Sequence, residues 1–254
     1  MFALVSDIHS NLEALTVVLD DIAKRGIKTI YCLGDVVGYG PNPVECLDLI
    51  IEKVEWCVLG NHDYATLYEP TNFNYGAEQA SFWTRHVLET RKDTEQNNKR
   101  WTFLGSLNLR QSLTFGSTKL EFVHASPRRP INEYIFPDDV YTNPAKVRTL
   151  FDRVEHICFV GHTHMPGVFL DEPDFYLPDE LGGTYPIVDD EKAIINIGSI
   201  GQPRDRDNRA SYVYIDNNKV HFVRLEYDFE TTIKKILSTQ ELDTFHAERL
   251  REGR

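Results

Sequence analysis

The sequence predicts an α/β fold with two β-sheets in one domain spanning residues 1–254. Three observations predict it. The first sixty residues alternate short apolar runs with helical spacing, as a β-α-β-α-β unit does. Later apolar runs lie close together with turn residues between them, Asn217-Asn218 for example, as antiparallel hairpins do. Finally, the residues able to do chemistry stand directly after the ends of these runs.

The elements follow in order. Phe2 to Ser6 is a short apolar run suited to a strand buried on both faces. Ser10-Asn11-Leu12-Glu13 has the form of a capping box, with Leu12, Leu15, Val18, Leu19 and Ile22 at helical spacing after it and Gly26 where a C-cap belongs. Lys28 to Leu33 is the second strand. Asn42-Pro43-Val44-Glu45 offers a cap, a first-turn proline and a first-turn acid. Leu47, Ile50 and Ile51 continue that helix, and Val54 to Leu59 is the third strand. Residues 64–105 carry two helical patterns, Ala77 to Thr90 and Thr94 to Leu104, read as a helical insertion. Strand-like runs resume at 109–115, 119–124, 156–160, 167–170, 192–197, 211–215 and 219–225, and residues 230–250 read as a C-terminal helix.

Composition narrows the classes. Hydrophobic residues at 41% and charged ones at 26% exclude wholesale disorder, collagen and coiled coil. With 27 Lys and Arg against 39 Asp and Glu, the net charge is −12, which disfavours long nucleic acid and anionic membrane as partners. Cys32, Cys57 and Cys158 sit in apolar runs, and no Cys-x-x-Cys pair occurs among the four cysteines. This is the pattern of buried, reduced thiols. The N-terminus lacks a basic segment and no apolar run reaches membrane-spanning length, so a cytoplasmic location is expected. Residues 171–191 hold eight acids and no Lys or Arg, and read either as a solvated loop or hairpin or as a gate screening polyanions.

The chemistry lies at the strand ends: Asp7-Ile8-His9, Gly34-Asp35, Gly60-Asn61-His62-Asp63, His124, and Gly161-His162-Thr163-His164. In open α/β sheets such positions share one crevice, so Asp7, His9, Asp35, Asn61, His62, His124, His162 and His164 are expected to converge. Carboxylate, imidazole and amide oxygen without thiolate suit divalent ions of intermediate hardness, with manganese foremost and iron, zinc, nickel or cobalt also accepted. The seven candidate ligands other than His62 exceed what one ion takes from protein but fit two ions sharing a carboxylate, at a separation of roughly 3.5–4 Å. A lone histidine at a strand end is ordinarily just a polar residue; the weight lies in the five blocks together.

Those five blocks, in that order, resemble the calcineurin-like metallophosphoesterases over roughly residues 1–225. The similarity is greatest to small bacterial members described as phosphodiesterases or diadenosine-tetraphosphatase-like proteins. It is carried by the runs Gly34 to Pro41, His124 to Arg128 and Asn196 to Asp205. The resemblance implies an α+β sandwich of two mixed sheets flanked by helices, with a dimetal site at the carboxyl ends of the strands. It implies one ion on Asp7, His9, Asp35 and His164, and a second on Asp35, Asn61, His124 and His162, bridged by Asp35. His62 would contact the phosphate or protonate the leaving oxygen, oriented by Asp63. A hydroxide bridging the ions would attack a small phosphodiester or phosphoanhydride, a nucleotide for example, with no covalent intermediate.

Other roles stay open. Arg204 and Arg128 stand ready to grip a phosphate, but Arg204 could equally pair with Asp205. Tyr39 could stack on a base or cap the pocket. Tyr64, Tyr68 and Phe73 could give the cleft an aromatic wall. His86, His156, His221 and His246 are expected at the surface or in the core. The rival functions are a phosphomonoesterase, a nuclease and a non-catalytic scaffold on the same fold.

Overall fold

β1 (Phe2–Val5), α1 (Leu12–Lys24), β2 (Ile30–Cys32), α2 (Pro43–Lys53) and β3 (Trp56–Cys57) form the expected β-α-β-α-β unit with parallel strands. They open a computed structural model that describes residues 1–254. α3 (Asn61–Leu67), α4 (Tyr75–Glu89) and α5 (Thr94–Ser106) follow, then β4 (Gln111–Phe115), β5 (Thr118–Phe122), α6 (Asp139–Thr142), α7 (Pro144–Phe151) and β6 (Ile157–Val160). The chain continues through β7 (Gly167–Leu170), β8 (Asp174–Tyr176), β9 (Thr184–Pro186), β10 (Ala193–Asn196), β11 (Ala210–Asp216), β12 (Lys219–Leu225), α8 (Phe229–Ser238) and α9 (Thr244–Glu252).

The strands build two six-stranded sheets, β3-β2-β1-β11-β12-β9 and β4-β5-β6-β10-β7-β8. Both are mixed. β1, β2 and β3 run parallel while β11 joins β1 antiparallel; β5, β6 and β10 run parallel while β7 joins β10 antiparallel. Alternation along each strand decides what packs where. Phe2 and Leu4 of β1 face the other sheet, meeting Phe122, Phe159, Ile195 and Val213 in one buried layer. Ala3 and Val5 face the helices, against Leu15, Val18 and Ile22 of α1 and Leu47 and Ile50 of α2. On the outer face of the second sheet, Val160 and Ile194 pack on Val147, Leu150 and Phe151 of α7.

Several local expectations change. The Ser10/Glu13 capping box does not form, because Asn11 is the cap of α1 and accepts from the Ala14 N–H at 3.2 Å. Glu13 turns instead to Lys235 and Thr232 of α8. The C-terminal segment 230–250 is two helices, not one: Thr239 is extended, Asp243 caps α9 by accepting from the Phe245 N–H, and Leu242 plugs into an apolar cluster with Ile233, Ile236 and Leu250. The helical patterns within 64–105 appear as α4 and α5. Arg100, buried in α5, ties it to Asp48 of α2 at 2.7 Å and to Asp93 at 2.9 Å. The acidic segment 171–191 supplies β8 and β9, each the last strand of its sheet, and so runs from one sheet edge to the other. Nothing supports a gate there: Asp189, for instance, accepts from the Thr118 hydroxyl at 2.6 Å.

Phe122 is fully buried and stacked on Phe159 at 5.4 Å between the sheets. Phe122→Ala is expected to cost about 3–5 kcal/mol through lost burial and the cavity left behind, read as a lowered midpoint in urea denaturation.

Candidate metal centre

Every predicted ligand reaches one buried pocket. Asp7 and His9 leave β1, Asp35 leaves β2, His124 leaves β5, and His162 and His164 leave β6, while Asn61 and His62 form the first turn of α3. This short helix is not among the helical patterns expected, and it begins on the Gly60-Asn61-His62-Asp63 block itself. All eight side chains are at most 9% exposed. Gly60 and Gly161 are needed for close approach and not for a turn: a Cβ on Gly60 would lie 2.3 Å from the Asp35 backbone nitrogen, and one on Gly161 would lie 2.2 Å from Asp7 Oδ2.

The side chains face one another acceptor to acceptor. His9 Nδ1 donates to the Val37 carbonyl at 3.2 Å, His164 Nδ1 to the Gln202 carbonyl at 2.6 Å and His124 Nδ1 to the Leu33 carbonyl at 2.8 Å. These bonds assign the Nδ1 protons and leave the Nε2 lone pairs pointing inward. His9 Nε2 and His164 Nε2 are then 3.1 Å apart, and Asp7 Oδ1 lies 3.1 Å from His164 Nε2 and 3.7 Å from His9 Nε2. Asp35 Oδ2 is 3.7 Å from His9 Nε2 and 3.3 Å from His124 Nε2, which is itself 3.0 Å from Asn61 Oδ1. His162 Nε2 is buried with no hydrogen-bond partner. Lone pairs at these separations repel unless a cation lies among them, so the residues fit a divalent metal. They fall into Asp7-His9-His164, Asp35-His124-His162 and His9-Asp35-His62 groups, of which the last two share Asp35 and the first and last share His9.

The charges agree. Burial alone would raise Asp7 and Asp35, but the histidines that face them at hydrogen-bonding distance, His164 and His124 respectively, hold them well below the usual carboxylate range. Burial pushes His9, His162 and His164 down, so their rings are neutral ligands near pH 7. For His124 burial is outweighed by Asp35, which lifts the ring to about 10; without a metal, a proton takes the cation's place.

Two of the predicted roles are corrected. Asp63 does not orient His62: its carboxylate accepts from the backbone N–H groups of Asp35 (2.8 Å), Val36 (3.0 Å), Val37 (3.3 Å) and Gly60 (3.2 Å), and His62 Nδ1 has no partner. Asp63 fixes the loop that carries Asp35. Burial and the Asp35 charge raise its carboxyl to about 7, while the N–H bonds pull the other way. Arg128 is exposed, and its guanidinium is held by Glu133 and Thr149, so a phosphate would have to displace Glu133.

His62 itself lies among His9 (4.9 Å between ring centres), Tyr39 (4.3 Å) and Phe73 (4.7 Å), and burial lowers it to about 4. Tyr39 is buried against His9 as well, so it packs the site more than it offers a free face. Arg204 does not pair with Asp205, which is taken by Arg224; it reaches the Tyr39 hydroxyl at 3.4 Å and Gln202 Oε1 at 2.8 Å. Tyr64 and Phe73 wall a groove of 450 Å³ beside Asn61, together with Arg128 and Arg129, whereas Tyr68 is not part of its lining and packs its ring at a tilt against Tyr64. A second groove of 410 Å³ includes Arg204, Met165 and Glu180.

Three neighbours were not singled out from the sequence. Tyr134, 44% exposed, lies over the His162 ring at 4.2 Å and stacks on Phe136. His246 packs on Tyr39 at 4.8 Å, and Arg249 reaches Gln202. Tyr134 sits in an irregular loop and the other two on a helix far along the chain, so no local pattern marks them.

This arrangement sets buried His and Asp groups that could hold divalent metal at the strand ends of a two-sheet sandwich. The chain belongs to the calcineurin-like phosphoesterase superfamily, whose domain model matches residues 1–219; the family's activity is phosphoester hydrolysis. It is similar to an uncharacterised protein of Methanocaldococcus jannaschii, 42% identical over 259 aligned positions that cover 100% of this chain and 98% of the other. The crystal structure of a metallophosphoesterase from Sphaerobacter thermophilus matches with a TM-score of 0.80 at 33% identity, covering 100% of this chain and 98% of that one. A hypothetical protein of Pyrococcus horikoshii OT3 shares the fold, with a TM-score of 0.75 at 19% identity over 100% and 99% of the two chains.

Two outcomes follow from this geometry. Gly60→Ala would push Asp35 aside and weaken metal binding about 10–100-fold, the scale of losing support behind a ligand, as measured by metal content after dialysis. Manganese added to chelator-treated protein at 100 times its dissociation constant should stabilise the fold by about 2.7 kcal/mol. At roughly 2–4 °C per kcal/mol for a chain of this size, the melting temperature rises by about 5–10 °C in a thermal scan.

Proposed function

We propose that the protein is a two-metal phosphoesterase acting on small phosphodiester or phosphoanhydride substrates, nucleotides among them, in the cytoplasm. The observation that carries this reading is the buried set of acceptors joined through Asp35, with one groove lined by Asn61 and another lined by Arg204 and Met165. Asp7, His9, Asp35 and His164 would hold one ion, and Asp35, Asn61, His124 and His162 the other; manganese is the first candidate, with iron, zinc, nickel and cobalt compatible. When bound, such ions supply Lewis acidity and a water acidic enough to act as nucleophile near neutral pH.

The chain's own residues supply the rest. His62, neutral in the free site, holds a phosphoryl oxygen through a ring N–H, and the negative charge of the substrate favours the protonated ring that can pass a proton to the leaving oxygen. Asp63 keeps the Asp35 loop in place through its four N–H bonds. A diester has a substituent on each side of phosphorus, and the two grooves provide room for both; a monoester would need one. The exposed Tyr134–Phe136 stack gives a base or other planar group a face beside His162. The four free buried cysteines suit a reducing compartment, and no helix is long and apolar enough to cross a membrane. The net charge of −12 weighs against a nuclease on long chains.

Chelator-treated protein given manganese is expected to hydrolyse bis(p-nitrophenyl) phosphate faster than the mono-ester under the same conditions. Preference for the mono-ester would favour a phosphatase. Inactivity with manganese, nickel, cobalt, iron and zinc, despite metal bound, would favour a scaffold. His62→Ala should keep its metal content and slow turnover by about 10²–10⁴-fold on substrates with poor leaving groups.

A further inference from the structure

Beside the metal centre two arginines meet without an acid between them. Arg204 Nη2 donates to Gln202 Oε1 at 2.8 Å, and Arg249 Nη1 approaches the same oxygen at 3.4 Å. Neither guanidinium makes an ion pair, although most arginines near them do: Arg209 pairs with Asp207, Arg224 with Asp205 and Arg251 with Glu230. In both, Nε is buried and has no hydrogen-bond partner. Burial and the neighbouring Arg204 charge lower Arg249 to about 10, a cost that an anion would remove.

The pair is held in place. The Arg206 N–H donates to the Gly253 carbonyl at 2.7 Å, which fastens the end of α9 to the loop that carries Arg204. Arg249 also stacks over Phe245 at 5.0 Å. The pair adjoins the chemistry, because Tyr39 reaches Arg204 through its hydroxyl and packs its ring on His9 and His62, and the Gln202 carbonyl holds His164. Arg249 lies on the C-terminal helix, beyond the residues that match the family model.

We infer that Arg204 and Arg249 form an oxyanion subsite that takes a second phosphate of the substrate, next to the one being cleaved. The inference deepens the phosphoesterase reading by naming its substrate class: a phosphoanhydride or another compound with two neighbouring phosphates. A guanidinium pair in which neither member is ion-paired suits such a group because each fork can donate two parallel N–H bonds to phosphate oxygens. Gln202, a neutral acceptor, receives both forks and adds no charge that would compete with an anion.

The test is a binding titration, independent of turnover. Methylenediphosphonate is titrated by calorimetry into metal-stripped protein, which removes the metals' attraction and leaves that of the arginines to be read from the variants. Wild type should bind it, and Arg249→Gln and Arg204→Gln should each weaken binding by about tenfold or more, the scale of one charge-assisted contact. Arg249→Lys should fall between. Absence of binding to stripped wild type, or equal affinity in wild type and Arg249→Gln, would overturn the subsite. Should the glutamine variants fold poorly, phenylglyoxal labelling of wild type followed by peptide mass spectrometry decides: methylenediphosphonate should protect Arg249, and unchanged labelling refutes the assignment. If metal-loaded protein hydrolyses no phosphate ester while this binding persists, the function fails and the subsite stands.

Discussion

The structure is organised around an unfavourable contact. Imidazole nitrogens, carboxylate oxygens and the Asn61 amide oxygen from five separate strand or helix ends meet 3.0–3.7 Å apart, and without a cation the proton on His124 relieves only part of the repulsion among their lone pairs. In a buried pocket this repulsion is screened little, and it becomes attraction when divalent cations stand among the groups. Hydrogen bonds from the outer ring nitrogens to the carbonyls of Leu33, Val37 and Gln202 hold the histidines in this state.

The backbone pays locally for that convergence. Asp7, His9, Asp35, His162 and His164 all have positive φ, between 48° and 64°, a region that costs a non-glycine residue about 1–3 kcal/mol. What holds them is a lattice of bonds between the loops. The Asp7 N–H donates to the Gly34 carbonyl, His9 to Asp35, and Gly161 to His124. Asp63 collects four N–H groups of the Asp35 loop and the α3 cap, and Asp7 accepts from the His162 N–H at 3.0 Å. Each loop is thus fixed by the next, and the two sheets beneath fix them all.

Charge is divided within the molecule. The chain carries −12 overall, yet the acidic segment 171–191 spends itself on a strand-bearing connection between sheet edges. Near the metal centre several arginines are left without acidic partners. Arg204 and Arg249 lack acidic partners, Arg129 makes no ion pair at the rim of the groove beside Asn61, and Asp7 and Asp35 belong to buried groups that could hold metal ions.

The β-α-β-α-β unit and the convergence at the strand ends were legible in the sequence, because apolar period and the order of residue types encode them locally. Asp7, His9, Asp35, Asn61, His62, His124, His162 and His164 could each be named in advance, since strand ends share a crevice in such a fold. Tertiary packing decided the rest. Only the folded chain shows that Asp63 serves the Asp35 loop instead of His62, that Arg128 is already engaged by Glu133, and that Asp205 leaves Arg204 for Arg224. The break at 239–243, which seats Leu242 in the core and brings Arg249 to Gln202, joins residues 47 positions apart along the chain. Which acid an arginine takes, and whether it takes one, depends on distances between segments. A linear pattern carries no such distances.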